Sequence, residues 1–304
     1  MMRVTEAVAR IFYRPLVRKC IHRLGLGRGM KRLYALVRGN GKILKLNLNG
    51  VEGLFSVQTP GELCFAEGSV LFNEREMLNA VQETLKPGDV FLDVGSNLGI
   101  FTIFGAKAVG PQGTVVACEP ATSAFNRLQN NIDLNRLNNI KLLKLALSDT
   151  RSMKKLLIDD LNALGGTLAH LSDADGPSED VRTAEYDSLV EDEGLPIPRV
   201  VKMDIEGHEY TALKGMERTL SNPVCGALFC EIHPYALPGG VSFRDVVTLI
   251  ESFGFDCVST RMRGTEHQVT AMKHATRCVI GQRHEADANA DVGSETPMQA
   301  FFRR

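Results

Sequence analysis

Val90-Phe91-Leu92-Asp93-Val94-Gly95-Ser96-Asn97-Leu98-Gly99 is the stretch on which the reading of this chain turns. Val90-Phe91-Leu92 is a short apolar strand, Asp93 closes it, and a glycine-framed turn leads into a helix predicted over 99–108. Gly95 and Gly99 let the backbone turn tightly and approach a ligand closely. The first turn of the following helix offers unbonded N–H groups to whatever sits there. Asn97 and Ile100 stand where a G-x-G-x-x-G dinucleotide fingerprint requires its second and third glycines. A carboxylate at the start of the loop also suits an amino-acid headgroup better than a diphosphate.

Working outward, strand, turn and helix repeat. Strands are predicted at Val115-Val116-Ala117-Cys118, Ile140 to Leu147, Val200-Val201-Lys202-Met203 and Ala227 to Ile232. Helices are predicted over about 123–135, 208–220 and 242–253, and a preceding one runs from an Asn73 cap to Leu85. Phe255-Asp256-Cys257-Val258 and Cys278-Val279-Ile280 read as two closing strands. Short, continuously apolar strands alternating with helices imply a mostly parallel sheet covered on both faces, which binds ligands at the carboxyl ends of its strands. The segment 148–199 is more polar and reads largely as loop, with a strand over Lys154 to Ile158, overhanging that end of the sheet.

Twenty residues beyond Gly99, the second strand ends in Glu119-Pro120. A carboxylate at this place can accept hydrogen bonds from both ribose hydroxyls. Free ribose hydroxyls together with an aminoacyl-like group describe S-adenosylmethionine, so Asp93, Gly95, Asn97, Gly99 and Glu119 are assigned to that cofactor. The third strand runs into Ala146-Leu147-Ser148-Asp149, where Leu147, Ser148 and Asp149 are candidates for the adenine edge, with an ordinary turn as the alternative.

At the fourth and fifth strand ends stand Asp204, Glu206, Glu231 and His233, the candidate catalytic groups, and Asp204, nearest the methyl, is also assigned to the cofactor site. Methyl transfer to a hydroxyl needs alignment and a proton acceptor, and His233, with an ordinary pKa of about 6.5, is the candidate base. For Asp204 and Glu206 the alternative is bonding to loop backbone, and for His233 a capping or packing role before Pro234. Lys202, inside its strand, is a candidate partner for a buried carboxylate. The same four residues resemble a divalent-metal set, although a metal is not the expectation. His208 receives no role.

These residues carry a family resemblance. Lys86-Pro87-Gly88-Asp89 through Gly99, then Glu119-Pro120, then Lys202-Met203-Asp204-Ile205-Glu206-Gly207-His208-Glu209 resemble the FkbM family of methyltransferases, over roughly residues 72–283. Phe72-Asn73-Glu74 is similar to the family's aromatic-x-Glu segment, which adds Glu74 to the implied cofactor site. Asp187 falls at the family's Leu-Asp pair, with Tyr186 replacing the leucine. The resemblance implies an α/β, Rossmann-like class I methyltransferase fold: a seven-stranded, mostly parallel sheet with helices on both faces, plus an N-terminal helical and strand extension. It also implies O-methylation of a sugar, glycolipid or natural product.

Composition sets the outer bounds. The 304 residues are 44% hydrophobic and 23% charged with a net charge of -1, as in an ordinary globular protein without a global basic balance for nucleic acid. Seven cysteines without a C-x-x-C pair read as buried reduced thiols. Residues 1–50 carry twelve Lys and Arg against Glu6 alone, patterned over 1–38 as a basic amphipathic helix. Such a helix either lies on an anionic membrane surface or packs its apolar stripe on the domain. The expected divisions are a basic extension over 1–70, the methyltransferase domain over 71–283 and a disordered tail over 284–304. The protein is expected in the cytoplasm or peripherally at the membrane, acting on a small-molecule or glycan- or lipid-linked acceptor. No stretch of 18 apolar residues occurs in the sequence. The alternative functions are a non-catalytic cofactor-binding scaffold and a nicotinamide-dependent oxidoreductase, the latter disfavoured by Asn97.

Overall fold

The computed structural model describes residues 42–57, 70–158, 169–171, 176–274 and 276. The basic helix over 1–38, the tail over 284–304 and the strand expected at Cys278-Val279-Ile280 lie outside the described residues. In chain order the elements are β1 (Lys42–Leu48), β2 (Val51–Val57), α1 (Val70–Thr84), β3 (Val90–Val94), α2 (Ile100–Val109), β4 (Thr114–Cys118), α3 (Thr122–Asn135) and β5 (Ile140–Leu143). They continue as β6 (Ala146–Leu147), β7 (Ser152–Ile158), β8 (Ala169–Leu171), β9 (Ser178–Ala184), α4 (Tyr186–Glu193) and β10 (Val200–Asp204). The last are α5 (Glu209–Lys214), α6 (Glu217–Ser221), β11 (Ala227–Ile232), α7 (Phe243–Ser252), β12 (Asp256–Arg263) and β13 (Glu266–Met272).

Seven strands form the central sheet in the order β12-β13-β11-β10-β3-β4-β5. The pairs within β11-β10-β3-β4-β5 are all parallel, and β13 runs antiparallel to both of its neighbours. This is a Rossmann-like, mostly parallel sheet of seven strands, as expected from the sequence. The chain leaves β3 toward β4 and β5, then returns to the other side of β3 for β10 and β11. That reversal opens a crevice at the carboxyl ends of β3 and β10, where such sheets bind ligands.

Adjacent strand residues face opposite sides, and both sides are apolar. Phe91, Val115, Val200 and Phe229 pack with Leu78, Phe104 and Leu128 on one face. Leu92, Val116, Val201 and Leu228 pack with Tyr186, Leu213 and Ile250 on the other. Burial on both faces is why these strands read as unbroken apolar runs. The β1–β2 hairpin joins the first of these cores through Leu48 and Phe55, whose ring lies 6.1 Å from that of Phe104. Asn131 and Asn135 of α3 fix the hairpin by accepting from the backbone N–H groups of Ser56 and Leu54.

Three expectations need correction. The strand read from Ile140 to Leu147 is two strands: β5 stays in the central sheet, whereas β6 pairs with β9 in a separate four-stranded sheet ordered β6-β9-β7-β8. The polar segment 148–199 therefore carries β7, β8, β9 and α4 as well as loop. The helix expected over 208–220 breaks at Gly215 into α5 and α6. Among the described residues β13 completes the central sheet, and its buried Val269 and Ala271 alternate with polar neighbours. Cys118, Cys225, Cys230 and Cys257 are free thiols, in agreement with the expected reduced state. No described helix is long and apolar enough to cross a membrane.

Candidate active site

The register of β3 against β10 sets Asp93 beside Lys202. Both are buried, with Lys202 Nζ 3.5 Å from Asp93 Oδ1. The ammonium donates to the Gly95 carbonyl at 3.0 Å and lies 5.0 Å from the centre of the Phe101 ring. Thr102 Oγ1 donates to Asp93 Oδ2 at 2.5 Å. The cation that Asp93 meets within the protein is thus Lys202, the buried-carboxylate partner that the lysine's position in its strand suggested. Burial pushes the Lys202 pKa down, but the charges of Asp93, Asp204, Glu74 and Glu231 overcome it and leave the pKa raised. Glu74, buried on α1, therefore belongs to this electrostatic neighbourhood.

The loop after β3 has little freedom. Gly95 has φ 76°, and a Cβ there would overlap the carbonyl oxygen of Asp204 on the neighbouring strand end. Gly99 has φ 88°, and a Cβ there would overlap the Leu128 side chain. Asn97 also takes a positive φ, 48°, and its backbone N–H donates to Glu119 Oε2 at 2.8 Å. Ala121 N–H donates to Glu119 Oε1 at 2.9 Å. Two backbone donors occupy about half of the carboxylate's lone-pair directions and leave the rest for a vicinal diol, so the residues present fit the ribose of S-adenosylmethionine.

Burial pushes the Glu119 pKa up to about 7, against the opposing effects of the two backbone donors and Lys202. Ribose hydroxyls donate to the ionised form and so favour it. Cofactor affinity should therefore rise as pH climbs through 7, S-adenosylhomocysteine binding about tenfold more tightly near pH 8 than near pH 6. Glu119→Gln should flatten that dependence, and Glu119→Ala should weaken binding by about 1.5–3 kcal/mol. Calorimetric titration across that range checks both, and a pH-independent wild-type affinity would remove Glu119 from the ribose site.

At the candidate adenine edge, Leu147 packs into the core and Ser148 is fully buried. Asp149 stands 3.7 Å from Lys214 on α5. His208, left without a role on the sequence, is half-buried here, and its Nε2 lies 3.1 Å from Ser148 Oγ. Burial lowers its pKa to about 4, so it is neutral at physiological pH. Tyr210 and Lys214 have the Tyr-x-x-x-Lys spacing of nicotinamide oxidoreductases. Tyr210 packs against the core, and Lys214 stands near Asp149.

The catalytic candidates do converge. The β10–β11 register sets Asp204 opposite Glu231. His233, just past β11, directs Nε2 toward Asp204 Oδ1 at 3.8 Å and Glu206 Oε2 at 3.4 Å. Its Nδ1 lies 2.8 Å from Glu209 Oε1, which also accepts the Gly207 N–H at 2.9 Å. Glu209 is fully buried, and sequence reasoning had missed it. Glu231 is also fully buried and accepts from Gln268 at 3.2 Å. Glu206 holds a left-handed φ of 52°, a conformation a non-glycine residue adopts only where its surroundings enforce it. Burial, then the charge of Asp204, pushes the Glu206 pKa up to about 7. For His233 burial acts downward, but the hydrogen bond with Glu209 and the charges of Asp204, Glu209 and Glu206 outweigh it and raise the pKa to about 9. Asp187, at the position of the family's Leu-Asp pair, is structural: it accepts the backbone N–H groups of Arg218 and Thr219, both at 2.8 Å, tying α4 to α6.

Comparison with known proteins identifies the family. The family model described as Methyltransferase FkbM domain matches residues 93–257, more than half of the chain. The chain is 29% identical over 219 residues to the hexuronic acid methyltransferase AglP of Haloferax volcanii, covering 72% of this chain and 84% of that protein. It is 27% identical over 223 residues to the 31-O-demethyl-FK506 methyltransferase FkbM of Streptomyces tacrolimicus, covering 63% and 83%. Among solved structures, a SAM-dependent methyltransferase from Aquifex aeolicus is 18% identical with a TM-score of 0.40, covering 66% and 90%.

Proposed function

The chain belongs to the FkbM family of S-adenosylmethionine-dependent methyltransferases, and from that premise we propose that it methylates a hydroxyl oxygen on a sugar or glycan, free or lipid-linked. The observation that carries this reading is the convergence of Asp204, Glu206 and His233 beside the cofactor loop. Proton-accepting groups are gathered where an acceptor must meet the methyl group. The names of the two curated relatives, a hexuronic acid methyltransferase and one whose substrate lacks an O-methyl group, point to the same chemistry.

Bound S-adenosylmethionine would supply a methyl carbon on a positively charged sulfur. With the methyl passing to the acceptor oxygen and the sulfur leaving as a neutral thioether, the carboxylates of Asp204 and Glu206 would hold the acceptor hydroxyl and take its proton. The loop held by Gly95, Asn97 and Glu119 orients one reactant, and the strand-end cluster orients the other. Fixing two reactants in line is the larger share of what such a reaction requires.

S-adenosylhomocysteine should raise the melting temperature and NAD should not. At a hundred times its dissociation constant, a ligand that binds only the folded state adds about 2.7 kcal/mol. Incubation with a panel of neutral and acidic sugars, followed by mass determination of products, tests the acceptor class. Stabilisation by NAD alone, or methylation confined to nitrogen or carbon acceptors, would sink the proposal.

A further inference from the structure

We infer that Asp204, Glu206 and His233 form a binding site for one divalent cation. One donor atom from each lies within 4.8 Å of the other two. His233 is buried, and the Gly207 N–H and the His233 Nδ1 contact share a single oxygen of fully buried Glu209. The ring is thereby fixed with Nδ1–H donating to Glu209, so Nε2 faces two carboxylates, and a cation entering there takes the place of the Nε2 proton. Nε2 and two carboxylate oxygens thus face one another, and among the described residues the ion pairs of Asp204 and Glu206 both end on His233. A cation bridging all three satisfies them at once. A histidine held through its other ring nitrogen by a buried carboxylate is also the usual support of a metal ligand.

The spacing fits an ion. Donors on a tetrahedral or octahedral centre with bonds of about 2.1 Å lie about 3.0–3.4 Å apart. Nε2 stands 3.4 Å from Glu206 and 3.8 Å from Asp204, and small side-chain rotations of these half-buried acids close the difference. Glu231 and Glu266 also bring carboxylate oxygens near His233. Glu231 is fully buried and already accepts from Gln268, so the Asp204–Glu206 side is the open one. Two carboxylates and one imidazole suit Mn²⁺, with Mg²⁺ as the weaker match. The ion's remaining positions would take the acceptor oxygen, while the second oxygen of each carboxylate stays available for its proton. This catalytic use rests on the proposed methyltransferase reaction; the binding does not.

The test is Mn²⁺ titration of chelator-treated, full-length protein, followed by electron paramagnetic resonance, with S-adenosylhomocysteine titrated in parallel as a check on folding. One Mn²⁺ per chain is expected. Asp204→Asn and Glu206→Gln should each weaken it by at least about tenfold, and Glu209→Gln by about 10–100-fold, with S-adenosylhomocysteine affinity retained in Glu206→Gln and Glu209→Gln. Absence of bound Mn²⁺, or equal binding in Asp204→Asn and Glu206→Gln, would overturn the site. The two readings fail separately. Mn²⁺ binding without S-adenosylhomocysteine binding upholds the cation site and sinks the methyltransferase reaction; the reverse result does the opposite.

Discussion

Lys202→Met should destabilise the protein by about 3–5 kcal/mol, the cost of leaving one charge of a buried ion pair without its partner. The lysine and Asp93 are both buried between β3 and β10, and Asp93 Oδ1 makes no hydrogen bond besides its approach to Lys202. Methionine keeps most of the volume and the contact with the Phe101 ring, so little of the loss would come from a cavity. What remains is a carboxylate in an apolar interior and a Gly95 carbonyl without its donor. Adding Asp93→Asn removes the stranded charge, so the double variant should recover part of the stability. Urea unfolding of the four proteins measures the coupling. A loss below about 1 kcal/mol in Lys202→Met would show that the buried pair contributes little to stability.

That pair also shows what was legible in the sequence. Strands buried on both faces announce themselves, and Phe91-Leu92 or Val200-Val201 pack to opposite sides as an unbroken apolar run requires. Asp93, Glu119, Asp204 and His233 were legible as candidates because each stands at or just past the carboxyl end of a strand, where such sheets bind ligands. Partners contributed by another element were harder to read. Glu209 reads as an ordinary acid in the first turn of a helix, and only the fold brings it under His233. Thr102 similarly looks like a polar residue in an apolar helix until its hydroxyl meets Asp93.

The small sheet stayed hidden for a different reason. β9 reads Ser178-Glu179-Asp180-Val181-Arg182-Thr183-Ala184, with no apolar run to mark it. Its order comes from pairing with β7, from Thr183 bonding to the Thr150 and Ser152 carbonyls, and from Glu179 accepting at the start of α3. Antiparallel β13 was likewise masked by Glu266, His267, Gln268 and Thr270 among its apolar positions. Hydrophobic periodicity finds elements whose faces are apolar, and these are held largely by backbone and hydroxyl bonds.

His233→Ala should lower kcat by about 10²–10⁴ while leaving S-adenosylhomocysteine affinity close to that of the wild type. The ring stands past β11, whereas the cofactor groups Gly95, Asn97 and Glu119 sit on the far side of β10, so its removal should act on the acceptor side alone. Alanine would also strand the Glu209 carboxylate, at a stability cost of about 1–3 kcal/mol that could be mistaken for a catalytic effect. His233→Asn separates the two: its amide can still donate to Glu209, so it should fold better than alanine yet be as inactive. Glu209→Gln should sit between them and the wild type, because it loosens the ring without deleting Nε2. Single-turnover rates at saturating cofactor, with melting temperatures as the control, give the order. If both His233 variants keep full activity, alignment of acceptor and methyl carries the reaction alone, and the Asp204–Glu206–His233 cluster is not its catalytic centre.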